Sequence, residues 1–221
     1  MLSGLAQRGH GLANRWRLAR FRMRLRYAAI AADATVEVAI DPTVELHGVP
    51  EVYVIAGSRN RLSIGAGSVI GTGVRLELRD GTITIGPRTA IRQACRLNVT
   101  GTIDIGEEVV LSTGVHIHCA EAVSIGRWTI IGEYSTIADS AHLRTDVEHA
   151  VHHTVVAAPV HIGSNIWMGA KVTVAKGVTI GDQAFVGANT VVTKDVEPWW
   201  LVAGIPATPI RRLEPQAPPS G

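Results

Sequence analysis

Histidines are the residues of this chain whose type and position could do chemistry. Neutral imidazole can take up a proton near neutral pH, and it can also ligate zinc. Among the nine histidines, His142 stands at the root of a segment, His142 to Pro159, where an otherwise regular sequence pattern is lost. Segments that leave a regular framework often carry function. His142 is therefore a candidate catalytic residue, although the position alone is also typical of a polar residue at a corner.

The regular pattern is a repeat of six residues. After the segment, every sixth residue is aliphatic, glycine follows four of these positions, and a small or β-branched residue stands four positions after the first five; the aliphatic residues are Ile162, Met168, Val174, Ile180, Val186 and Val192. Upstream, Ile85, Ile105 and Ile125 each precede glycine, lie twenty residues apart and begin three such hexads. A period of six does not match the helical 3.6, and helices do not tolerate this much glycine. The pattern excludes a helix.

Short strands joined by tight corners account for the repeat. Each aliphatic residue should point inward, with the following glycine at a corner, and three hexads make a triangular coil of about 18 residues. Coils would stack through parallel pairing at roughly 4.8 Å, and the extra residues of the twenty-residue coils would form bulges or longer corners. We expect an all-β solenoid over residues 34–195 that needs capped ends. Periodicity does not determine its handedness.

The N-terminal residues 1–33 form a basic arm. Its arginines all precede the first acidic residue, Asp33, and they are Arg8, Arg15, Arg17, Arg20, Arg22, Arg24 and Arg26. The alternation from Arg20 to Tyr27 predicts a strand, whereas the spacing before it suits a helix. One interpretation is docking on an anionic membrane or an acidic partner. The other is an irregular cap whose arginines are solvated or paired within an oligomer.

Composition restricts the class of protein. The net charge of +2 argues against a nucleic-acid binder, and no apolar run of spanning length or secretory signal is present. We therefore expect a cytoplasmic protein. Cys95 and Cys119 lie within the apolar repeat, which predicts small buried thiols in a reducing compartment. Residues 196–221 should form a C-terminal cap, with a disordered tail from Glu214 onward.

The C-terminal repeats carry a family resemblance. The runs Ile-Gly-Ser-Asn-Ile-Trp-Met-Gly-Ala-Lys from Ile162, Gly-Val-Thr-Ile-Gly-Asp from Gly177, Gly-Ala-Asn-Thr-Val-Val-Thr-Lys-Asp from Gly187 and Val-Ala-Gly-Ile-Pro-Ala from Val202 are similar to the hexapeptide-repeat acetyltransferases of the galactoside, maltose, xenobiotic and capsular-polysaccharide type. The resemblance implies a left-handed parallel β-helix with an extruded loop at 142–159. It also implies a homotrimer whose active site lies between subunits, and direct acyl transfer from acetyl-CoA without a metal.

The resemblance assigns roles to individual residues. His142 falls on the family's general base, which would remove the acceptor's proton while a backbone N–H stabilises the oxyanion; Asp139 and Glu133 are candidates for orienting it. Positions matching the coenzyme site are Ala170 and Ala188 for the pantetheine arm, Thr193 and Lys194 for the distal portion, and Arg211 for the phosphates. Trp167 matches a tryptophan beside the active site. Lys194 and Arg211 could also be solvated surface residues, and Trp167 could simply cover a coil edge.

Two positions depart from the family pattern. Thr208 stands where a second basic residue is usual, which leaves fewer phosphate contacts. Ser112 stands where the sugar enzymes have an acceptor-binding asparagine, which argues against a simple galactoside acceptor. We expect a hydroxyl on a sugar or surface-polysaccharide precursor, while the choice between hydroxyl and amine and the acyl chain length stay open.

Two other functions fit parts of the sequence. His116 and His118 flank inward-facing Ile117 and should point outward, and the loop holds His149, His152 and His153. Such histidines could ligate zinc between subunits, as in the γ-class carbonic anhydrases that share this fold, but their spacing does not match that family's ligands. A solenoid without catalytic activity that serves as an assembly platform is the third interpretation.

Overall fold

A computed structural model describes residues 2–143 and 154–214 of the protein, with side chains from residue 11 onward except that of Leu143. The chain begins with helix α1 (Leu2–Ala31). The strands that follow are β1 (Thr35–Ile40), β2 (Glu45–Leu46), β3 (Glu51–Val54), β4 (Arg59–Ile64), β5 (Val69–Ile70), β6 (Arg75–Leu78), β7 (Thr82–Ile85), β8 (Ala90–Ile91), β9 (Arg96–Val99), β10 (Thr102–Ile105), β11 (Val110–Leu111), β12 (His116–Cys119), β13 (Ala122–Ile125), β14 (Ile130–Ile131), β15 (Thr136–Ala138), β16 (Ser140–Leu143), β17 (Thr154–Ala157), β18 (Val160–Ile162), β19 (Trp167–Met168), β20 (Thr173–Val174), β21 (Thr179–Ile180), β22 (Phe185–Val186), β23 (Val191–Val192), β24 (Trp200–Ala203) and β25 (Thr208–Arg212).

The strands form the three sides of a solenoid. Sheet A contains β1, β4, β7, β10, β13, β18 and β21; sheet B contains β2, β5, β8, β11, β14, β19, β22, β24 and β25; sheet C contains β3, β6, β9, β12, β15, β20 and β23. Each coil contributes one strand to A, then B, then C, and successive coils pair in parallel. The predicted parallel β-helix is confirmed, with about seven turns.

The inward aliphatic residues stack directly on one another from coil to coil. In sheet A, Ile85 pairs with Ile105 and Ile105 with Ile125, so the twenty-residue spacing is one turn of the solenoid. These three side chains are 0–3% exposed. The two extra residues of these coils do not form the predicted bulges or longer corners. They lengthen the strands of sheets C and A, as in β9 and β10, and so add inward-facing residues to the core.

The glycines of the repeat are required by the close approach of adjacent coils. A Cβ on Gly65 would lie 2.6 Å from the backbone nitrogen of Pro87, and one on Gly71 would lie 2.6 Å from that of Gln93. The left-handed backbone occurs two residues later, at Gly67 and Gly73, and the equivalent positions of the next coil carry Arg88 and Ala94 in the same conformation. Glycine is thus selected here for its missing side chain rather than for its backbone freedom.

Helix α1 caps the first coil, and the strand predicted for Arg20–Tyr27 is wrong. The buried residues of this segment are Leu18, Phe21, Leu25 and Ala29. Their spacing of three and four places them on one helical face, which packs on β1, β2 and β3. The alternating pattern arose because arginines stand between two buried residues, Phe21 and Leu25, and two exposed ones, Met23 and Tyr27. The cap is therefore a regular helix and not the irregular one considered above.

Polar side chains of α1 satisfy the open edge of the first coil. The Asn14 amide donates to the Val44 carbonyl at 2.9 Å and accepts from the Leu46 N–H at 2.8 Å. Arg17 donates to the Leu46 carbonyl and Arg22 to that of Ile40. An uncovered edge of this kind would invite pairing with another chain. Several of the arginines thus pair with the backbone of this chain.

The other end of the solenoid is closed by antiparallel pairing of β24 with β25. Of the tail predicted to be disordered, residues 215–221 lie outside the described part of the chain. Across residues 2–143 and 154–214, no helix is long and apolar enough to cross a membrane.

The substitution Gly71→Ala tests the clearance between coils. Its Cβ would collide with backbone that cannot move without separating two coils, so we expect a loss of about 1–3 kcal/mol in the free energy of unfolding. Denaturant titration followed by circular dichroism measures this value. Gly11→Ala is the matched control, because a Cβ there meets nothing within 4 Å and alanine should stabilise the helix by about 0.5–1 kcal/mol. Equal effects of the two substitutions would contradict the clearance argument.

Candidate active site

His142 lies on a hairpin that leaves the solenoid between sheets C and A. Strands β16 and β17 pair antiparallel, with His142 opposite Val155, and the His142 side chain is exposed. The sequence pattern is lost here because the chain departs from the coil after β15 and returns at β18. Residues 144–153, which include His149, His152 and His153, lie outside the described part of the chain.

A buried aspartate fixes the root of this hairpin. The two carboxylate oxygens of Asp139 accept hydrogen bonds from the N–H groups of Ala120 and Glu121, each at 2.7 Å. Its own N–H donates to the His118 carbonyl at 3.2 Å, and its carbonyl accepts from the Ala158 N–H at 2.8 Å. Asp139 is fully buried, so these bonds join both strands of the hairpin root to the coil below.

The two candidates for orienting His142 have different surroundings. Asp139 lies three residues before His142, but the Ala120 and Glu121 amides engage both of its carboxylate oxygens. Glu133 is exposed at the corner before β15, whereas His142 follows the end of that strand. Sheet C separates these two positions, so Glu133 and His142 lie at its opposite edges within one chain.

Neither cysteine can supply a nucleophile in the native protein. The two cysteines of the sequence, Cys95 and Cys119, are free and buried, as predicted. Burial raises the pKa of the Cys95 thiol to about 11. Burial, together with the Asp139 carboxylate beside it, raises the pKa of the Cys119 thiol to about 12. Both therefore stay protonated near neutral pH, and a thiolate is the reactive form.

Ala170 and Ala188 occupy equivalent positions at the corner between sheets B and C. Each follows a corner glycine, and Asn189 donates its N–H to the Ala170 carbonyl at 2.9 Å. Neither the Ala170 nor the Ala188 N–H donates to any other described group. Earlier coils carry Gln93, Thr113 and Glu133 at this position, and these longer side chains would crowd the amide. The two alanines thus provide a pair of N–H donors, one coil apart, that have no acceptor among the described residues.

The remaining coenzyme candidates are exposed and distributed over two sides of the protein. Thr193 and Lys194 follow β23 at the corner between sheets C and A, on the same edge of the solenoid as the hairpin root. Arg211 lies on β25, whose backbone pairs with Leu201 of sheet B. Lys194 and Arg211 form no ion pair with described residues.

One chain does not bring the predicted site residues together. His142, Thr193 and Lys194 belong to the corner between sheets C and A, whereas Ala170 and Ala188 belong to the corner between sheets B and C. The six residues of extended chain that separate these corners span at most about 20 Å. A site that uses both sets of residues would therefore extend across sheet C or include a second chain.

Trp167 belongs to a continuous apolar row on the outer face of sheet B, which we call the sheet B stripe. The Trp167 side chain is 59% exposed, and its ring centroid lies 5.6 Å from that of Phe185. Strand register aligns the members of the stripe along the solenoid: Val69, Ala90, Val110, Ile130, Trp167, Phe185 and Leu201. Exposed apolar patches of this extent usually mark interaction surfaces.

Ser112 is less accessible than its predicted role requires. It is 5% exposed, its N–H donates to the Ile131 carbonyl at 2.9 Å, and its carbonyl accepts from the Cys95 thiol at 3.1 Å. Ser112 lies at the corner between sheets B and C, in the coil before that of His142. Only a small part of this residue could meet a ligand.

A polar row on the outer face of sheet C was not anticipated from the sequence. The Asn98 amide donates to the Glu77 carboxylate at 3.1 Å, and Arg75 lies 2.7 Å from the same carboxylate. His116 and His118 continue the row with ring centroids 6.4 Å apart. Both are more exposed than the buried Ile117 between them, which confirms their predicted outward orientation. Burial, and then the charges of His118 and Arg96, lower the pKa of His116. The signal in the sequence was the recurrence of polar residues at outward positions of successive coils.

Within the described residues, no group of three or more histidine, cysteine, aspartate or glutamate side chains could hold a metal ion. His161 is instead hydrogen-bonded through Nδ1 to the Ser124 hydroxyl at 2.9 Å, and His47 contacts Glu45.

Comparisons with known proteins agree with this architecture. The family described as the hexapeptide repeat of succinyl-transferase matches residues 159–194. An Escherichia coli K12 protein assigned to lipopolysaccharide biosynthesis as an O-acetyl transferase, WbbJ, is 32% identical, with 60% of this chain and 73% of that protein covered. The galactoside O-acetyltransferase of the same organism is 33% identical, with 49% and 63% covered. The chain thus spans less than two thirds of the galactoside enzyme.

Solved structures share the fold. The polysialic-acid-specific acetyltransferase NeuO superimposes with a TM-score of 0.58 at 18% identity, covering 85% of this chain and 84% of that one. AntD, an N-acyltransferase from Bacillus cereus solved with dTDP-4-amino-4,6-dideoxyglucose and coenzyme A, gives a TM-score of 0.59 at 18% identity, covering 69% and 84%.

The repeat, the extruded hairpin and the extent of the match to the WbbJ relative define the class of protein. The chain belongs to the hexapeptide-repeat acetyltransferases.

The substitution Asp139→Ala tests whether Asp139 fixes the hairpin root. It would leave the N–H groups of Ala120 and Glu121 without their acceptors at a partly buried site, so we expect a loss of about 1–3 kcal/mol in the free energy of unfolding. Asp104→Ala is the matched control, because Asp104 is exposed on neighbouring strand β10. Urea titration of both variants measures the difference. Equal stabilities would show that the carboxylate does not anchor the hairpin.

Proposed function

We propose that the protein is an acetyl-CoA-dependent O-acetyltransferase that acts on a hydroxyl of a sugar or surface-polysaccharide precursor, with His142 as general base. The observation that carries the proposal is the position of His142 on the extruded hairpin of a hexapeptide-repeat acetyltransferase, at a root anchored by Asp139. Its imidazole is exposed and can therefore meet an acceptor.

The transfer is direct in this proposal. His142 takes the proton of the acceptor hydroxyl as its oxygen attacks the thioester carbonyl, and a backbone N–H stabilises the oxyanion. The new C–O bond forms, the C–S bond breaks, and the coenzyme A thiolate receives the proton from the imidazolium. The raised pKa values of Cys95 and Cys119 support a route without a cysteinyl intermediate.

Acetyl-CoA would bind along the C-terminal coils. The open N–H groups of Ala170 and Ala188 suit the amide carbonyls of the pantetheine arm. Thr193 and Lys194 would contact the distal portion of the coenzyme. Arg211 would contact its phosphates, for which a guanidinium offers several charged donors. With Thr208 in place of a second basic residue, Lys194 carries more of the phosphate interaction.

A homotrimer would complete the site. The sheet B stripe is an apolar surface that runs from the second coil, at Val69, to Leu201, and its burial against a second copy would remove Trp167 and Ile130 from water. Contact between the corners of neighbouring chains would place His142 of one subunit near Ala170 and Ala188 of the next. Trp167 would then lie beside the active site.

The acceptor would approach across sheet C. The polar row of Asn98, His116 and His118 ends at the hairpin root, where the His118 backbone carbonyl accepts a hydrogen bond from the Asp139 N–H. The side chains of the row offer donors and acceptors for sugar hydroxyls. The names of the relatives include a galactoside and a lipopolysaccharide enzyme, which supports a saccharide hydroxyl as acceptor. We place the reaction in the cytoplasm, near the inner face of the membrane where such precursors are assembled.

Titration calorimetry and thiol release test the general base. We expect His142→Ala to bind acetyl-CoA as the unmodified protein does, because the coenzyme contacts lie elsewhere, and to lose activity by about 100- to 10,000-fold. His47→Ala on the first coil is the matched control and should retain full activity toward a panel of sugars. Full activity of His142→Ala would refute the base assignment. Failure of the unmodified protein to bind acetyl-CoA would instead favour a non-catalytic assembly platform.

Mixed oligomers test whether the site is shared between subunits. His142→Ala removes the base, and Ala188→Trp should block the coenzyme, so each variant alone is inactive. If the two residues serve one site from different subunits, co-refolded mixtures should recover about one fifth to one third of the activity, since some interfaces then carry neither substitution. If light scattering confirms trimers but neither the refolded mixture nor the co-expressed protein recovers activity, the shared site is contradicted.

A further inference from the structure

Helix α1 has a second apolar face that the cap does not use. Its members, which we call the outer stripe, are 50–68% exposed: Leu12, Trp16, Met23, Tyr27 and Ile30. At about 100° per residue, all five fall within an arc of about 60°. The face that packs on the first coil, centred on Phe21 and Leu25, lies on the opposite side. The helix is thus apolar on two opposite faces, and capping explains only one.

Arginines line both sides of the outer stripe. Arg15 and Arg26 fall on one side and Arg20 on the other, and all three are exposed. The Arg20 guanidinium lies 4.6 Å from the centroid of the Trp16 ring. The sequence has no acidic residue before Asp33. Arg17 and Arg22 bind the first coil, so they do not contribute to this flank.

We propose that the outer stripe docks helix α1, lying in the membrane plane, on an anionic lipid bilayer. Leucine, methionine and isoleucine would enter the acyl boundary, while the tryptophan and tyrosine rings suit the headgroup level. The flanking arginines would reach lipid phosphates while their stems stay against the apolar surface. The helix lies on the surface and does not cross, which agrees with its lack of a spanning apolar segment.

The distribution of charge favours lipid over a second copy of the chain. Two outer stripes packed together would bring two sets of arginines into contact with no carboxylate between them, which is unfavourable. An anionic surface neutralises the arginines and covers the apolar residues at once. Because α1 caps the first coil, docking would hold the solenoid by this end, with its other coils directed away from the bilayer.

Vesicle co-sedimentation of the full chain tests the proposal, with no coenzyme or acceptor present. We expect binding to vesicles of equal parts phosphatidylglycerol and phosphatidylcholine and little binding to phosphatidylcholine alone. Trp16→Glu with Tyr27→Glu should weaken the partition coefficient about 100-fold. Arg15→Glu with Arg26→Glu should weaken it about tenfold or more and flatten its dependence on salt. Ile55→Glu, at an exposed apolar residue of the first coil outside the helix, is the matched control and should bind normally.

Several outcomes would overturn the proposal. Equal partition of the Trp16/Tyr27 variant and the unmodified protein would show that the outer stripe is not the docking surface. Absence of binding to the anionic vesicles would exclude lipid docking altogether. If the same double substitution instead dissolves a larger assembly in light scattering, a second copy covers the stripe. Circular dichroism must show intact helix in each variant, and because no step of acetyl transfer is measured, failure here leaves the proposed reaction untouched.

Discussion

The distance between stacked coils is the constraint on which the rest of the structure depends. Parallel pairing holds neighbouring strands at about 4.8 Å, so a glycine that follows an inward aliphatic side chain has almost no space beyond its backbone. Gly65 and Gly71 meet the backbone of the next coil at once if a Cβ is added. Most coils therefore repeat a similar corner, although Arg92 and Ser112 take the glycine position in two of them. This regularity makes a departure such as the hairpin of β16 and β17 visible in the sequence.

The same constraint explains what sequence reasoning could and could not predict. Residues that repeat on every coil, such as Ile85 and Ile105, reveal strands, corners and inward positions because their environment recurs. Helix α1 has no such repeat. Its alternation from Arg20 to Tyr27 suggested a strand, whereas the packing of Phe21 and Leu25 on the first coil required a helix. The helical spacing from Leu18 to Ala29 was also present in the sequence, but only packing on the surface formed by residues 40–50 decides between the two patterns.

The candidate site shows a comparable division. His142 could be selected from the sequence because the repeat breaks beside it and because a family resemblance gave that position a role. The hydrogen bonds of Asp139 to Ala120 and Glu121 could not be foreseen, since they join residues nineteen and eighteen positions apart on neighbouring coils. The inaccessibility of Ser112 likewise depends on the coil stacked above it. Spacing identifies the edge on which a residue lies, whereas accessibility depends on neighbouring coils.

The two proposals support each other through symmetry. If the sheet B stripe is the contact between subunits, the solenoids of a cyclic trimer lie side by side along their length, and all three α1 helices come to the same end. Three outer stripes on one rigid body would then meet one bilayer, and weak docking by each helix would be multiplied through effective concentration. Active sites between subunits would stand at a constant height above the membrane, set by the number of coils between α1 and His142. An acceptor anchored in the same bilayer would have to reach that height, which favours a glycan chain over a sugar held close to the lipid headgroups.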